Sequence, residues 1–213
     1  MNVIVLDTET TNTLEEPLCY DIGWAIIDLD TEKVIKTESY AVAEVFLDKE
    51  LMACAYFAEK VPSYWEEIKH SSRKLARLYT IRKALLNDCK AYHIAEIYAH
   101  NATFDYLSCN LTQRLLTSSK WRYFFPYGIV ICDTLKMARK AFGKDKAYKD
   151  FCERNGFLTS NGKCRFTAEV LYRFLTDNVD FVEEHKGLDD VLIEKEILLA
   201  CRKRGVTEGL LFE

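Results

Sequence analysis

The chain has 213 residues, of which 49% are hydrophobic and 29% charged, and its formal net charge is −4. This composition suits one globular domain with a sizeable core, so we expect a single domain over residues 1–213. The negative charge argues against a protein that coats nucleic acid in bulk, although it is compatible with an acidic metal site. Eight scattered cysteines without a C-x-x-C pair predict reduced thiols. The reduced thiols lead us to expect a cytoplasmic protein. No apolar run is long enough to span a membrane.

Three strands are predicted at the start of the chain. Residues 2–10 form an apolar run that ends in Asp-Thr-Glu, and residues 20–28 and 34–42 are further strand candidates. The charged stretch 29–33 is typical of a hairpin loop. We therefore expect an antiparallel meander of three strands.

The end of the first strand carries two acids. Side chains alternate along a strand, so Asp7 and Glu9 point to one face and Thr8 to the other. Two carboxylates on one face repel each other, and a divalent metal bound by oxygen ligands is a good reason for such a pair. Acidic residues also mark the point where a buried strand meets solvent, so this pair needs support from elsewhere in the chain.

Residues 44–90 are predicted as a helical, insertion-like segment. Helices are expected over 48–60 and 71–89, with a break at Pro62 and a short helix capped by Ser63 between them. The second of these helices carries basic residues: Arg73, Lys74, Arg77, Arg82 and Lys83. They either follow a phosphate backbone or form a solvated outer face.

The second half of the chain alternates strands and helices. Strands are predicted over 94–99 and 128–132, and a turn over 159–162. A helix is predicted after the segment 100–105, with Asp105 in its first turn, and it ends at about residue 116. Further helices are predicted over 135–141, 145–154, 167–175 and 188–203. The whole order predicts an α/β fold with a mixed five-stranded sheet, three antiparallel strands first, flanked by helices.

Two further acids lie near the starts of predicted helices. Asp105 lies in the first turn of the helix after the fourth strand, and Asp190 lies near the start of the last helix. His185 precedes Asp190 by five positions, with Gly187 between them. Four carboxylates and a histidine are what hydrolysis of a phosphodiester requires. Two divalent ions about 3.5–4 Å apart activate a water and stabilise the departing oxygen, and a neutral histidine accepts the proton.

At this point the sequence resembles the DEDDh, or DnaQ-like, 3′–5′ exonucleases, which have a ribonuclease H-like fold. The resemblance is carried by residues 7–11 (DTETT), 100–105 (HNATFD) and 185–190 (HKGLDD), in that order. Residues 132–135 (CDTL) also resemble the strand end between the second and third motifs. The three motifs together are specific, and they span nearly the whole chain.

The resemblance implies a role for each motif residue. The metal ligands would be Asp7, Glu9, Asp105 and Asp190, and His185 would be the general base. The cofactors would be two divalent metal ions, Mg²⁺ or Mn²⁺. Thr8, Thr10, Asn101 and Phe104 would contact the terminal nucleotide. Asn12 departs from the glycine that many members have after the two threonines, so the fit of that nucleotide is expected to differ.

The implied activity is metal-dependent 3′–5′ exonucleolytic hydrolysis that releases 5′-mononucleotides. The expected substrate is the 3′ end of a single strand, with DNA favoured. The alternatives are an exoribonuclease that trims RNA or degrades oligonucleotides, and a non-catalytic module that binds nucleic acid. The sequence does not choose among a protein that acts alone, a homodimer and a partner of a polymerase.

Two stretches outside the motifs have open interpretations. Residues 121–127 (WRYFFPY) either stack nucleic-acid bases or pack in the core, and we favour the core. The basic residues from Lys136 to Lys149 either guide a phosphate backbone or form a solvated helix face. Asp133 ends the fifth strand and is expected near the site, although the resemblance gives it no role as a ligand.

Overall fold

The computed structural model of the protein describes residues 1–11, 16–55, 57–118, 120 and 122–212. Within these ranges the strands are β1 Asn2–Thr11, β2 Leu18–Asp28, β3 Lys33–Val42, β4 Lys74–Ala76, β5 Glu96–Ala99 and β6 Val130–Asp133. The helices are α1 Ala43–Phe46, α2 Lys49–Ala53, α3 Val61–Lys69, α4 Leu78–Ala91, α5 Ala102–Leu116, α6 Thr134–Phe142, α7 Lys146–Asn155, α8 Ala168–Thr176 and α9 Gly187–Lys203, with a 3₁₀ turn at Ala58–Lys60. None of the described helices is long and apolar enough to cross a membrane.

The strands form one mixed sheet in the order β4-β3-β2-β1-β5-β6. The first three strands pair antiparallel, as the meander prediction requires. β5 pairs parallel to β1, and β6 pairs parallel to β5. The predicted α/β architecture is therefore confirmed, and β1 lies in the middle of the sheet with its carboxyl end beside those of β5 and β6.

Helices cover both faces of the sheet. The apolar side chains of α4 and α5 pack with Ile4 and Leu6 on one face. Those of α6, α7, α8 and α9 pack with Val3 and Val5 on the other. Because side chains alternate along β1, its acids after Val5 continue on the α9 face and Thr8 on the α5 face.

The first helix predicted in segment 44–90 is wrong. The described residues within 48–60 form the short α2 and a 3₁₀ turn instead of one helix. The longer helix is α3, which begins where a break was predicted. Pro62 lies in its first turn, where a missing backbone N–H costs nothing, so this proline starts a helix rather than ending one.

The predicted helix over 71–89 is wrong in its first part, which contains a sixth strand. β4 pairs parallel to the end of β3, and α4 begins only at Leu78. Three residues are too few to show the alternation of a strand, and their partner lies more than thirty residues earlier in the chain. Most later elements match their predicted positions within two residues, and the 159–162 turn is closed by an isolated bridge between Leu158 and Cys164.

Candidate active site

The carboxyl end of β1 presents two acids to the helix α9. Asp7 and Glu9 are both partly buried and line the same cavity of about 1290 Å³. A register shift between Glu9 and Thr10 interrupts the pairing of β1 with β2 just after the second acid. Such irregularities re-aim side chains at the end of a strand.

Two glycines allow α9 to approach these acids closely. A β-carbon on Gly23 in β2 would stand 2.4 Å from the nitrogen of Leu188, and one on Gly187 would stand 3.1 Å from the carbonyl oxygen of Asp7. The start of α9 therefore lies directly on the backbone of β1 and β2. This contact brings Asp190, in the first turn of the helix, against the acids of β1.

Three side chains converge at this contact. Ligand atoms of Glu9, His185 and Asp190 all lie within 4.8 Å of one another. Asp190 is 4% exposed, and its Oδ1 has no hydrogen-bond partner among the described residues. A buried carboxylate oxygen without a donor is expensive unless a cation binds it, so the donor set fits a divalent metal ion.

Asp105 approaches from the other side of β1. Its Oδ1 accepts a hydrogen bond of 2.9 Å from the hydroxyl of Thr8, and both residues are buried. Asp105 is not part of the cluster of Glu9, His185 and Asp190. Its charge nevertheless raises the pKa of Asp7, so the two carboxylates are electrostatic neighbours.

Burial and mutual repulsion raise the pKa values of the acids in this region. Burial is the first cause for each of them. The pKa of Glu9 is raised to about 9, that of Asp190 to about 8 and that of Asp105 to about 7. The pKa values of Asp7 and Glu194 lie well above their ordinary range. A bound cation would lower the pKa values of these carboxyl groups, because an opposite charge favours the ionised form.

His185 lies on the loop that enters α9 and has a left-handed backbone, with φ 50°. Such a conformation is costly for a residue other than glycine and is often found at functional sites. Its ring stacks on that of Phe57, with centroids 4.1 Å apart and an angle of 11° between the planes. Burial, and then the charge of Lys60, lower its pKa, so the imidazole is neutral at pH 7.

A buried ionic network holds the loop in place. Asp21 in β2 accepts hydrogen bonds from the backbone N–H of Gly187 at 2.9 Å and from the hydroxyl of Tyr64 at 2.7 Å. Arg73, whose side chain is 2% exposed, pairs with Asp21 and with Glu67. Glu67 also pairs with Lys186.

The sequence suggested that Arg73 either contacts a phosphate backbone or lies on a solvated face. Both interpretations are wrong, because Arg73 is buried. Segment 57–73 fixes the loop at two points besides this network. Phe57 contacts the ring of His185, and the ammonium of Lys60 donates to the carbonyl of Glu184.

Part of the cavity wall is basic. α6, α7 and the segment before α8 contribute four exposed cationic side chains, those of Arg139, Lys149, Lys163 and Arg165. Two of the predicted basic residues therefore line the cavity. Lys136 does not, because its ammonium donates to the carbonyls of Leu210 and Leu211.

The side chain of His100 joins three parts of the cavity wall. Its Nε2 lies 2.7 Å from the carbonyl oxygen of Phe166 and therefore donates to it, and its Nδ1 lies 3.0 Å from the hydroxyl of Thr134. Asn101, which follows, is exposed in the cavity and has φ 67°. Its N–H donates to Asp133, which also caps α6, so Asp133 has a structural role.

The other predicted nucleotide contacts have different surroundings. The Thr8 hydroxyl is used by Asp105 and faces away from α9. Thr10 and Phe104 are partly buried and are not among the residues that line the cavity. Asn12 lies outside the described residues.

Sequence reasoning missed three acids. Glu194 lies one turn after Asp190 on the same face of α9, lines the cavity and accepts the backbone N–H of His100 at 3.1 Å. Glu183 also lines the cavity, and burial raises its pKa to about 7. Asp21 had a signal, because it is a charged residue in an otherwise apolar strand.

Comparison with solved structures shows which fold this geometry belongs to. The nuclease domain of 3′hExo, described as a DEDDh family member bound to rAMP, superposes with a TM-score of 0.66 at 10% identity, over 100% of this chain and 96% of that one. The chain has the fold of the DEDDh exonucleases.

Two other structures share this fold. A 3′-exonuclease that recognises a histone mRNA stem-loop has a TM-score of 0.66 at 10% identity, with 98% of this chain covering 66% of that one. Exonuclease X in complex with 5′ overhanging duplex DNA has a TM-score of 0.52 at 16% identity, over 94% and 91% of the two chains. Neither protein-family models nor curated proteins match the sequence.

Proposed function

We propose that the protein is a metal-dependent 3′–5′ exonuclease. The observation that carries the proposal is the convergence of Glu9, His185 and Asp190 within 4.8 Å, with Asp7 in the same cavity. The buried, unpartnered Oδ1 of Asp190 gives the cluster a reason to take up a cation. The fold shared with exonucleases supports the same reaction.

The carboxylates would hold the metal ions. Asp7, Glu9, Asp105 and Asp190 are the proposed ligands of two divalent ions, Mg²⁺ or Mn²⁺, which suit oxygen donors. When bound, such ions lower the pKa of a coordinated water and offset the charge of the phosphate. Before binding, the raised pKa values of Glu9 and Asp190 keep part of the cluster protonated at neutral pH.

His185 would act as the general base. Its lowered pKa leaves a ring nitrogen unprotonated at neutral pH, so that it takes a proton from the attacking water. Stacking on Phe57 fixes the plane of the ring. The basic part of the cavity wall, with Arg139 and Arg165, would hold the phosphates of the strand, and Asn101 would contact the terminal nucleotide.

A strand labelled at its 5′ end tests the proposal directly. In Mg²⁺ or Mn²⁺ we expect stepwise shortening from the 3′ end with release of 5′-mononucleotides. Asp7→Ala, Asp190→Asn and His185→Ala should each abolish it. Asp189→Asn is a matched control, since it removes the neighbouring exposed acid and should leave shortening intact. No shortening by the wild type, or shortening that persists in His185→Ala, would refute the assignment.

The proposed substrate is a single-stranded 3′ end, with DNA first and RNA as the alternative. RNA has support in two of the structures above, one bound to rAMP and one that recognises an mRNA stem-loop. Matched DNA and RNA strands that compete in one reaction decide between them. Faster loss of the RNA strand would replace DNA as the proposed substrate.

A further inference from the structure

A second cavity, of about 890 Å³, lies on the α5 side of the molecule. It is bounded by the first turn of α5, the start of β6 with the segment before it, and the C-terminal residues Leu210 and Phe212. None of the acids proposed as metal ligands lines it. We call it the aromatic groove and define it by Arg82, Tyr106, Arg122, Tyr123, Tyr127 and Phe212.

The rings of this groove are ordered but largely uncovered. Tyr106 stacks on Phe125 with centroids 5.6 Å apart, and it meets Phe212 edge-on at 5.0 Å. Tyr123 is 65% exposed, Phe212 is 63% exposed, and the side chain of Tyr127 is fully exposed. Clustered exposed aromatic side chains mark binding surfaces rather than core. The core interpretation of the aromatic run therefore holds for Phe124 and Phe125, which are buried, and fails for Tyr123 and Tyr127. Trp121, the first residue of the run, lies outside the described residues.

The charge of the groove is opposite to that of the whole protein. The chain has 33 acidic and 29 basic residues. The groove is nevertheless lined by Arg82, Lys120 and Arg122, with no Asp or Glu among the described residues that line it. The Nε of Arg82 donates to the carbonyl of Tyr123 at 3.0 Å, which connects α4 to the segment before β6. Cations beside uncovered rings complement a strand that carries phosphates and unpaired bases.

We propose that the aromatic groove binds the unpaired bases of a single-stranded nucleic acid outside the catalytic cavity. Tyr106 directly follows Asp105 in α5, and the two side chains diverge, one to Phe125 and the other to Thr8. The groove therefore begins beside a proposed metal ligand, on the other side of the first turn of α5. Upstream nucleotides of a strand whose end is bound in the cavity are the proposed occupants of the groove.

Binding without divalent ions tests the groove separately from hydrolysis. The probes are labelled oligothymidylate and oligouridylate, and the readout is fluorescence anisotropy in EDTA. Tyr127→Ala should weaken binding about tenfold, the loss expected for one stacked base. Arg122→Glu should weaken binding and also reduce its dependence on salt. Both residues are exposed, so neither change should disturb folding.

Lys33→Glu is the matched control, because it makes the same charge change at an exposed position in β3, which three strands separate from β6 in the sheet. It should bind both probes as the wild type does. Equal loss of affinity in Arg122→Glu and Lys33→Glu, or wild-type affinity in both groove variants, would overturn the proposal. Wild-type affinity is also the result expected if the groove holds a segment of another protein.

Photo-crosslinking shows directly which part of the protein the strand contacts. An iodouracil-substituted strand should crosslink to the peptide that contains residues 122–127, and the crosslink should decrease in Tyr127→Ala. Crosslinks confined to the catalytic cavity would refute the groove. Failure of hydrolysis would instead refute the exonuclease assignment and leave this binding result unaffected.

Discussion

Gly23 in β2 lies so close to Leu188 in α9 that a β-carbon on the glycine would stand 2.4 Å from the Leu188 nitrogen. Real β-carbons do not approach backbone atoms to that distance. Asp190 follows two residues later in the first turn of the helix. Because residue 23 is a glycine, α9 can pack close enough to the sheet for Asp190 to approach the acids of β1.

Gly23→Ala should move the start of α9 away from the sheet. We expect a loss of metal binding of at least tenfold, because Asp190 and His185 move together away from Glu9. Isothermal titration with Mn²⁺ measures the affinity, and a thermal melt reports folding. Gly205→Ala is the control, since a β-carbon there meets nothing within 4 Å. Its left-handed backbone costs about 1–2 kcal/mol of stability, while Mn²⁺ affinity should remain. Equal affinities in the two variants would contradict this account.

Arg73→Met should lower both stability and turnover. It leaves the carboxylate of Asp21 buried without its cation, a change that costs about 3–5 kcal/mol. It also removes one partner of Glu67, which anchors Lys186 next to His185. Chemical denaturation and single-turnover kinetics measure the two effects.

A second substitution separates charge from packing in this network. In Asp21→Asn with Arg73→Met the buried charge is gone, so stability should partly recover, and the double-mutant cycle should show coupling. Arg77→Met is the matched control because Arg77 is exposed and four residues away. It should behave as the wild type, and a loss of turnover equal to that of Arg73→Met would count against the network.

The metal-free protein should become less stable as pH rises from about 5 to about 9. Glu9 and Asp190 have pKa values raised to about 9 and about 8, so the folded state binds more protons than the unfolded state across this range. The free energy of unfolding then decreases with pH. Thermal melts in EDTA across this range measure the slope.

Two changes should reduce the loss of stability as pH rises. Glu9→Gln removes one of the repelling carboxylates, so the metal-free variant should melt at a higher temperature than the wild type at alkaline pH. Saturating Mg²⁺ should do the same for the wild type, because the cation stabilises the ionised carboxylates. A stability that rises with pH in EDTA would show that the sign is wrong.

Phe57→Ala should reduce turnover more than substrate affinity. The ring of Phe57 stacks on His185 at 4.1 Å, and an aromatic pair of this kind contributes about 0.5–1.5 kcal/mol. We expect kcat to fall up to about tenfold, with KM nearly unchanged, because His185 loses its orientation. Phe57→Tyr keeps the stacked ring and should retain activity. Equal kcat in the alanine and tyrosine variants would exclude a positioning role.

Much of the fold was predictable because its signals are local. The alternation in β1 and the helical periodicity of α9 each lie within a short stretch of sequence. β4 was missed because its three residues make sense only beside the end of β3. Pro62 was misread because a proline has opposite meanings in the first turn of a helix and in its interior.

The residues of the candidate site also divide into those with a local signal in the sequence and those without one. Glu9, His185 and Asp190 were predicted as site residues because the spacing within their short motifs indicates the site. The structure brings these three side chains together. The partners of Asp21 come from three separate parts of the chain, so no local pattern indicates that Arg73 is buried beside it.

The loop that carries His185 is fastened by side chains from β2, α3 and the residue before β4. These attachment points become available only after strands and helices far apart in the sequence have docked. The position of His185 at the site therefore depends on contacts between parts of the chain that are far apart in the sequence.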